Sequence, residues 1–213
     1  MHLLFDLDGT ITDSAPGIVA CLNQALTDVG RPCLSTDQLR GMIGTPLRVI
    51  FERVLDPAEP DVVARAVACY RAVFDTVGMS GNAMYPGIAD ALRELRRRGH
   101  RLQIVTAKPA VVGRRVVAHF AIADLFDAVH GPADDGHSEK ADSVRAAIDF
   151  VGGDPGEVVM IGDRVDDVLA ARAHSIRSIG VEWGYGSRDE LIAAGASLTV
   201  ATIDDLLDWV GES

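Results

Sequence analysis

A chain of 213 residues, 48% apolar and 24% charged, has room for one good-sized domain or a core with a modest insertion, and nothing in it looks disordered or fibrous. Its formal net charge of -11 argues against broad attraction to nucleic acid or anionic lipid, and no apolar run approaches a membrane span. Cys21, Cys33 and Cys69 have neither CxxC nor zinc-finger spacing, so no disulfide framework or zinc site is expected; with no signal peptide visible, a reducing cytoplasm is the default location. An anionic substrate stays open, because a bound divalent cation reverses the local potential.

Leu3-Leu4-Phe5 is a short apolar run ending in Asp6-Leu7-Asp8-Gly9-Thr10, which predicts a buried strand delivering carboxylates into a turn. From Ala15 the pattern becomes helical. Ile18, Leu22, Ala25, Leu26 and Val29 mark a first helix stopped at Gly30 and Pro32, and further helices are predicted over 36–42, 45–55 and 61–77. With no convincing strand among them, these helices predict an insertion. After Pro86-Gly87 strands and helices alternate. Helices are expected from Ile88 to Leu95, over 111–120, 140–150 and 165–173, and strands over 102–105, 128–130 and 158–161, with the alternation continuing to Val210. Such alternation predicts an α/β fold, a Rossmann-like doubly wound parallel sheet with a small inserted α-helical cap, and ligands beyond the carboxyl ends of the strands. The expected division is 1–14 with 83–213 as the core and 15–82 as the cap, hinged near 14–17 and 81–86.

The polar residues of interest fall at predicted strand ends. Asp6 and Asp8 are two apart where a strand finishes, so both carboxylates can reach one point; close carboxylates raise one pKa or share a cation. An Asx turn at Asp8-Gly9 is the ordinary alternative. Asp163 and Asp167 follow Val158-Val159-Met160-Ile161 and lie four apart, on one side of an opening helix. They serve equally as N-terminal capping or as half of an oxygen-lined magnesium site. Thr106, before Ala107-Lys108-Pro109, either caps a helix or holds a phosphate oxygen with backbone N–H groups. Lys140, taken alone, reads as a solvated lysine opening a helix. His100, His119, His130, His137 and His174 show no ligand spacing.

Taken together, Phe5-Asp6-Leu7-Asp8-Gly9-Thr10-Ile11-Thr12-Asp13-Ser14, Thr106, Lys140 and Gly162-Asp163-x-x-x-Asp167 resemble the haloacid dehalogenase superfamily of phosphohydrolases. The order and spacing agree over essentially the whole chain. Tyr85-Pro86-Gly87-Ile88, Trp183-Gly184-Tyr185-Gly186 and the helical insertion are similar to its phosphoglycolate phosphatase-like branch. The resemblance implies Asp6 as nucleophile and magnesium ligand, and Asp8 as general acid–base with its backbone carbonyl also on magnesium. It implies Thr106 and Lys140 as phosphoryl-binding groups, Lys140 also restraining Asp6, with Asp163 and Asp167 completing the metal site. Arg164 stands where many relatives have Ser or Thr.

The activity so implied is magnesium-dependent hydrolysis of a small phosphorylated metabolite (phosphoglycolate, a nucleotide or a sugar phosphate) through an aspartyl phosphate. Asp8 and Asp163 count against a dehalogenase. A phosphomutase of the β-phosphoglucomutase type shares all four motifs and remains the alternative, with a non-catalytic binding protein on the same fold behind it. The absence of GxxxxGK[ST] excludes a P-loop protein. Ala107 and Lys108 are expected near the substrate, and Arg40 and Thr45 belong to a segment that looks like the cap's substrate loop, though Arg40 reads as well as a solvated helix residue. Arg96-Arg97-Arg98 complements a helix C-terminus. Oligomeric state is not legible.

Overall fold

Leu3, Leu4 and Phe5 are wholly buried in the first strand, which becomes the centre of the sheet. In the computed structural model, which describes residues 1–134, 139–152 and 154–212, the strands are β1 (His2–Phe5), β2 (Thr12–Asp13), β3 (Ala83–Met84), β4 (Arg101–Val105), β5 (Ala128–His130), β6 (Val158–Gly162), β7 (Arg177–Val181) and β8 (Leu198–Val200). The helices are α1 (Ala15–Asp28), α2 (Thr36–Arg40), α3 (Leu47–Val54), α4 (Pro60–Val73), α5 (Ile88–Arg97), α6 (Ala110–His119), α7 (Lys140–Val151), α8 (Val165–Ala173), α9 (Arg188–Ala194) and α10 (Ile203–Glu212).

Six strands form one sheet in the order β5-β4-β1-β6-β7-β8, and every neighbouring pair in it is parallel. Strand order reverses at β1, between β4 and β6, so the crevice beyond its carboxyl end is the expected binding place for a doubly wound sheet. Side chains alternate across the pleat. Leu3, Phe5, Leu102, Ile104, Val159 and Ile161 pack with Leu92 and Leu95 of α5 and Leu206 of α10, while Leu4, Val105 and Met160 pack with Val144 and Ala147 of α7 and Ala171 of α8. Both faces are therefore covered, as the near-continuous apolar runs require. Gln103 is a buried polar residue in an inner strand, and its side chain bonds to His130 Nε2 at 2.7 Å.

The helices of 15–73 stand over the carboxyl edge of the sheet. Leu22 and Leu26 of α1 are almost fully buried in the shared core with Val63 and Val67 of α4, each such leucine contributing about 1.5–3 kcal/mol. Three details differ from the sequence expectation. Helix α2 ends at Arg40 and α3 begins only at Leu47, because Pro46 precedes it with an extended ψ of 138°. The expected 61–77 helix gives way at Phe74 to a π-turn over Phe74–Gly78. There the chain crowds α1: a Cβ on Gly17 would lie 2.1 Å from the Gly78 carbonyl oxygen, and one on Gly81 would lie 2.7 Å from Gly17 Cα. The third is a two-stranded antiparallel ladder, Thr12 opposite Met84 and Asp13 opposite Ala83, joining the points where the chain enters and leaves the helical segment. Two-residue strands carry no periodicity, so this pair is invisible to pattern reading.

The arginine run ends α5 as expected, and it also makes specific ion pairs: Arg97 and Arg98 with Glu94, and Arg96 with Asp127. No helix among the described residues is long and apolar enough to cross a membrane. The three cysteines are free thiols.

Candidate active site

Asp6 is the first residue beyond β1, and its amide still donates to the Ile161 carbonyl at 2.8 Å, continuing the ladder to β6. The chain then turns tightly. The Ile11 and Thr12 amides donate to the Leu7 carbonyl, and the Gly9 amide donates to Thr12 O at 2.7 Å. Gly9 has φ +85, and a Cβ there would lie 2.2 Å from Asp163 Oδ2. Only glycine satisfies both demands, so the DxDG turn and the acidic segment after β6 are built against each other.

Asp163 follows β6 and is completely buried. It accepts hydrogen bonds from Thr10 Oγ1 at 3.1 Å and from the Tyr185 amide at 2.8 Å. Asp167, in the first turn of α8, accepts from the Arg164 amide at 2.9 Å, closing the helix N-terminus. Its carboxylate rests on Gly162, where a Cβ would come within 2.2 Å of Asp167 Cγ. Capping and clustering thus coexist. Carboxylate oxygens of Asp6, Asp163 and Asp167 all lie within 4.8 Å of one another, and all three side chains are buried.

Lys140, at the start of α7, reaches into this cluster rather than into solvent. Its Nζ is 2.8 Å from Asp6 Oδ1 and 2.5 Å from Asp167 Oδ1, with only 5% of the side chain exposed. Burial works against its charge, but Asp167 and Asp6 outweigh that and hold its pKa above the ordinary lysine range. Asp6 is pushed well above the usual carboxylate range, by burial first and by Asp167 and Asp163 next, with Lys140 opposing. Asp163 is pushed up to about 7 by burial and by the charge of Asp167. One lysine therefore faces three carboxylates, and the set calls for further positive charge before all can ionise.

Two buried oxygens carry the point further. Asp6 Oδ2 and Asp8 Oδ1 have no hydrogen-bond partner. Such groups are expensive unless a ligand or ion completes them. The donor set of Asp6, Asp163 and Asp167 is all hard oxygen, which suits a cation such as magnesium. Asp8's carboxylate lies outside that trio: its Oδ2 accepts from Lys108 Nζ, whose ammonium sits 5.8 Å over the Phe74 ring. Lys108, expected near the substrate, is thus partnered to the proposed acid–base. Thr106 is buried one residue past β4, and its hydroxyl accepts from the Lys108 amide at 3.2 Å.

The segment after β7 has roles that no local signal announced. Trp183 Nε1 donates to Thr10 O at 3.1 Å. The Tyr185 hydroxyl accepts from the amides of Ser14 at 2.8 Å and Ala15 at 2.9 Å, and donates to Asp13 Oδ1 at 3.1 Å. It caps α1 where Ser14's own side chain does not. Arg40 is exposed and lies over the Tyr185 ring, 5.2 Å from its centroid. Thr45 and Ala107 line a cleft shared with Lys140, and Arg164 Nη2 donates to the Gly41 carbonyl at 2.9 Å, linking core to helical segment. His100, His119, His130 and His174 stand in no ligand cluster; His137 lies outside the described residues.

A family model described as haloacid dehalogenase-like hydrolase matches residues 3–181. The 5'-nucleotidase of Pseudomonas aeruginosa is 37% identical over 193 residues, covering 90% of this chain and 87% of that protein. The tyrosine-protein kinase PtkA of Mycobacterium tuberculosis is 35% identical over 212 residues, 98% of this chain and 72% of its own. A crystal structure of a predicted phosphatase from Clostridium acetobutylicum superposes with a TM-score of 0.93 at 35% identity, covering 100% of this chain and 98% of that one.

Proposed function

The chain belongs to the haloacid dehalogenase-like hydrolase family and is a phosphoric monoester hydrolase, and from that premise we propose that it works with magnesium through an aspartyl phosphate on Asp6. The substrate is a small phosphorylated metabolite, and the free thiols suit a reducing cytoplasm. The observation that carries the reading is the buried trio of Asp6, Asp163 and Asp167 with Lys140 between two of its members. Asp6, Asp163 and Asp167 would hold the cation, with the Asp8 backbone carbonyl. Bound there, it would neutralise charge on the transferring phosphoryl group.

The chain's own groups perform the rest. Lys140 restrains Asp6 and offsets the repulsion between its carboxylate and the phosphate dianion. Asp6 attacks phosphorus through Oδ2, the oxygen left without a partner. As the phosphorus–oxygen bond breaks, protonated Asp8 gives its proton to the departing alkoxide, and Lys108 orients that carboxyl. Asp8 then takes a proton from water, whose oxygen attacks the aspartyl phosphate, releasing phosphate and restoring Asp6. The Thr106 hydroxyl and the Ala107 amide bind phosphoryl oxygens, and the Lys108 amide holds that hydroxyl in place. Residues 15–82 act as a cap that excludes water, with the β2–β3 ladder and the Gly17–Gly81 contact as its pivot; Thr45 lines the cleft it shares with Lys140. A phosphomutase would use the same steps but return phosphate to a sugar.

Phosphate release from a panel of monoesters should appear with magnesium, vanish with chelator and return on adding magnesium again. Release unaffected by chelator counts against the metal site. The same carboxylates set a pH dependence. Asp163 titrates near 7 in the folded chain, above its ordinary 3.8, so its contribution to metal-free stability is full below about pH 4 and lost as pH rises through about 7. Magnesium needs the ionised carboxylates, so its stabilisation grows over that window. The rise in Tm on adding magnesium should therefore be several-fold larger at about pH 8 than at about pH 5. A rise independent of pH would show that the ion binds elsewhere.

A further inference from the structure

Between α1, α3, α4 and the start of α6 lies a chamber of about 380 Å³. Lys108, the residue that binds Asp8, is part of its lining, so the chamber lies beside the carboxyl proposed to protonate the leaving oxygen. Its walls are mostly apolar, made by Ile43, Leu47, Ile50, Tyr70, Phe74 and Val112. Tyr70 and Phe74 stack with ring centroids 5.7 Å apart at 23°, giving one side a rigid aromatic surface. The charged groups that line it are already engaged. Lys108 is held by Asp8 and Arg115 by Asp75 at 2.5 Å, while Arg71 and Asp134 also have partners.

A short hydroxy acid such as glycolate would leave most of this space unfilled, and its carboxylate would find no spare cation among the described residues that line it. A sugar would bury hydroxyls against hydrocarbon, each at a cost of a lost hydrogen bond. Resting on the phosphatase reading above, we propose that the substrate is a phosphomonoester whose leaving alcohol carries an apolar or aromatic body about the size of a ring. Leu47, Ile50, Tyr70 and Phe74 are the residues that select it. The chamber is within the usual size range of small-molecule sites, and burial of a ring against these walls supplies the discrimination.

The test compares 2-phenylethyl phosphate with 2-phosphoglycolate, both esters of primary alcohols, with acetyl phosphate as a small reporter of phosphoryl transfer to Asp6. We expect kcat/KM for the phenylethyl ester to exceed that for phosphoglycolate by roughly 10-fold or more, from the apolar area buried. Leu47→Trp, which fills the chamber, should lower kcat/KM for the phenylethyl ester far more than for phosphoglycolate and so erase that preference. Should that variant fail to fold, calorimetric titration of Asp6→Asn protein with the two esters reads the same preference in Kd. Equal or better use of phosphoglycolate, alongside Asp6-dependent turnover of acetyl phosphate, overturns the proposed substrate class and leaves the mechanism standing. No Asp6-dependent turnover of any of the three overturns both. A nucleoside 5'-monophosphate added to the panel distinguishes a nucleobase from a simple aryl body as the occupant.

Discussion

Asp6→Asn should lower magnesium-dependent kcat by at least about 10⁴-fold while leaving the protein folded. The carboxamide keeps an oxygen for Lys140, now 2.8 Å from Asp6 Oδ1, but replaces the unpartnered Oδ2 with a group that cannot attack phosphorus. Lys140 also retains Asp167 at 2.5 Å, so no buried charge is stranded and Tm should change little. Rapid-quench measurement of labelled phosphoenzyme checks the same point directly: wild type should accumulate acid-stable, base-labile label and the variant none. Full turnover by a well-folded Asp6→Asn protein would mean that phosphate is attacked by another group or by water.

The second large effect concerns stability as well as rate. Lys140→Met removes the one ammonium between Asp6 and Asp167, both almost wholly buried. Two carboxylates then face each other and Asp163 without a cation. Removing one partner from a buried ion pair costs about 3–5 kcal/mol, so in chelator the variant should unfold at clearly lower denaturant. Magnesium should restore much of that loss, because the ion supplies the missing charge. Activity should not return with it, since Lys140 also steadies Asp6 during attack. Equilibrium urea unfolding, with and without magnesium, separates the two contributions. Equal stability of variant and wild type in chelator would mean that the carboxylates are protonated and the lysine is not their main counter-charge.

These expectations draw unequally on sequence and structure. The positions of Asp6, Thr106 and Asp163 at strand ends were legible, because Leu3-Leu4-Phe5 and Val158 to Ile161 are apolar runs, and Leu102 to Val105 is apolar but for Gln103, all too short to be helices. Each polar residue directly after such a run must emerge at the carboxyl edge. Lys140 was different. Nothing local separates a lysine that opens a surface helix from one with 5% exposure between two carboxylates; only its place in the family's order of motifs singled it out. Arg40 admitted two readings, a substrate contact or a solvated helix residue, and the structure lays it over Tyr185 at the surface.

By itself, then, the amino-acid order determined the alternation of strands and helices, the helical insertion after the first strand, and the residues delivered to the sheet edge. These are local consequences of hydrophobic period and of turn residues such as Gly9. The tertiary structure alone decided which of those residues meet. That Lys108 reaches Asp8 across 100 positions, that Tyr185 caps α1 across 171, and that an apolar chamber opens beside them depends on β1 pairing with both β4 and β6. Such pairings follow from the burial of the whole sheet between two helical layers, a global balance that no short stretch of the chain expresses.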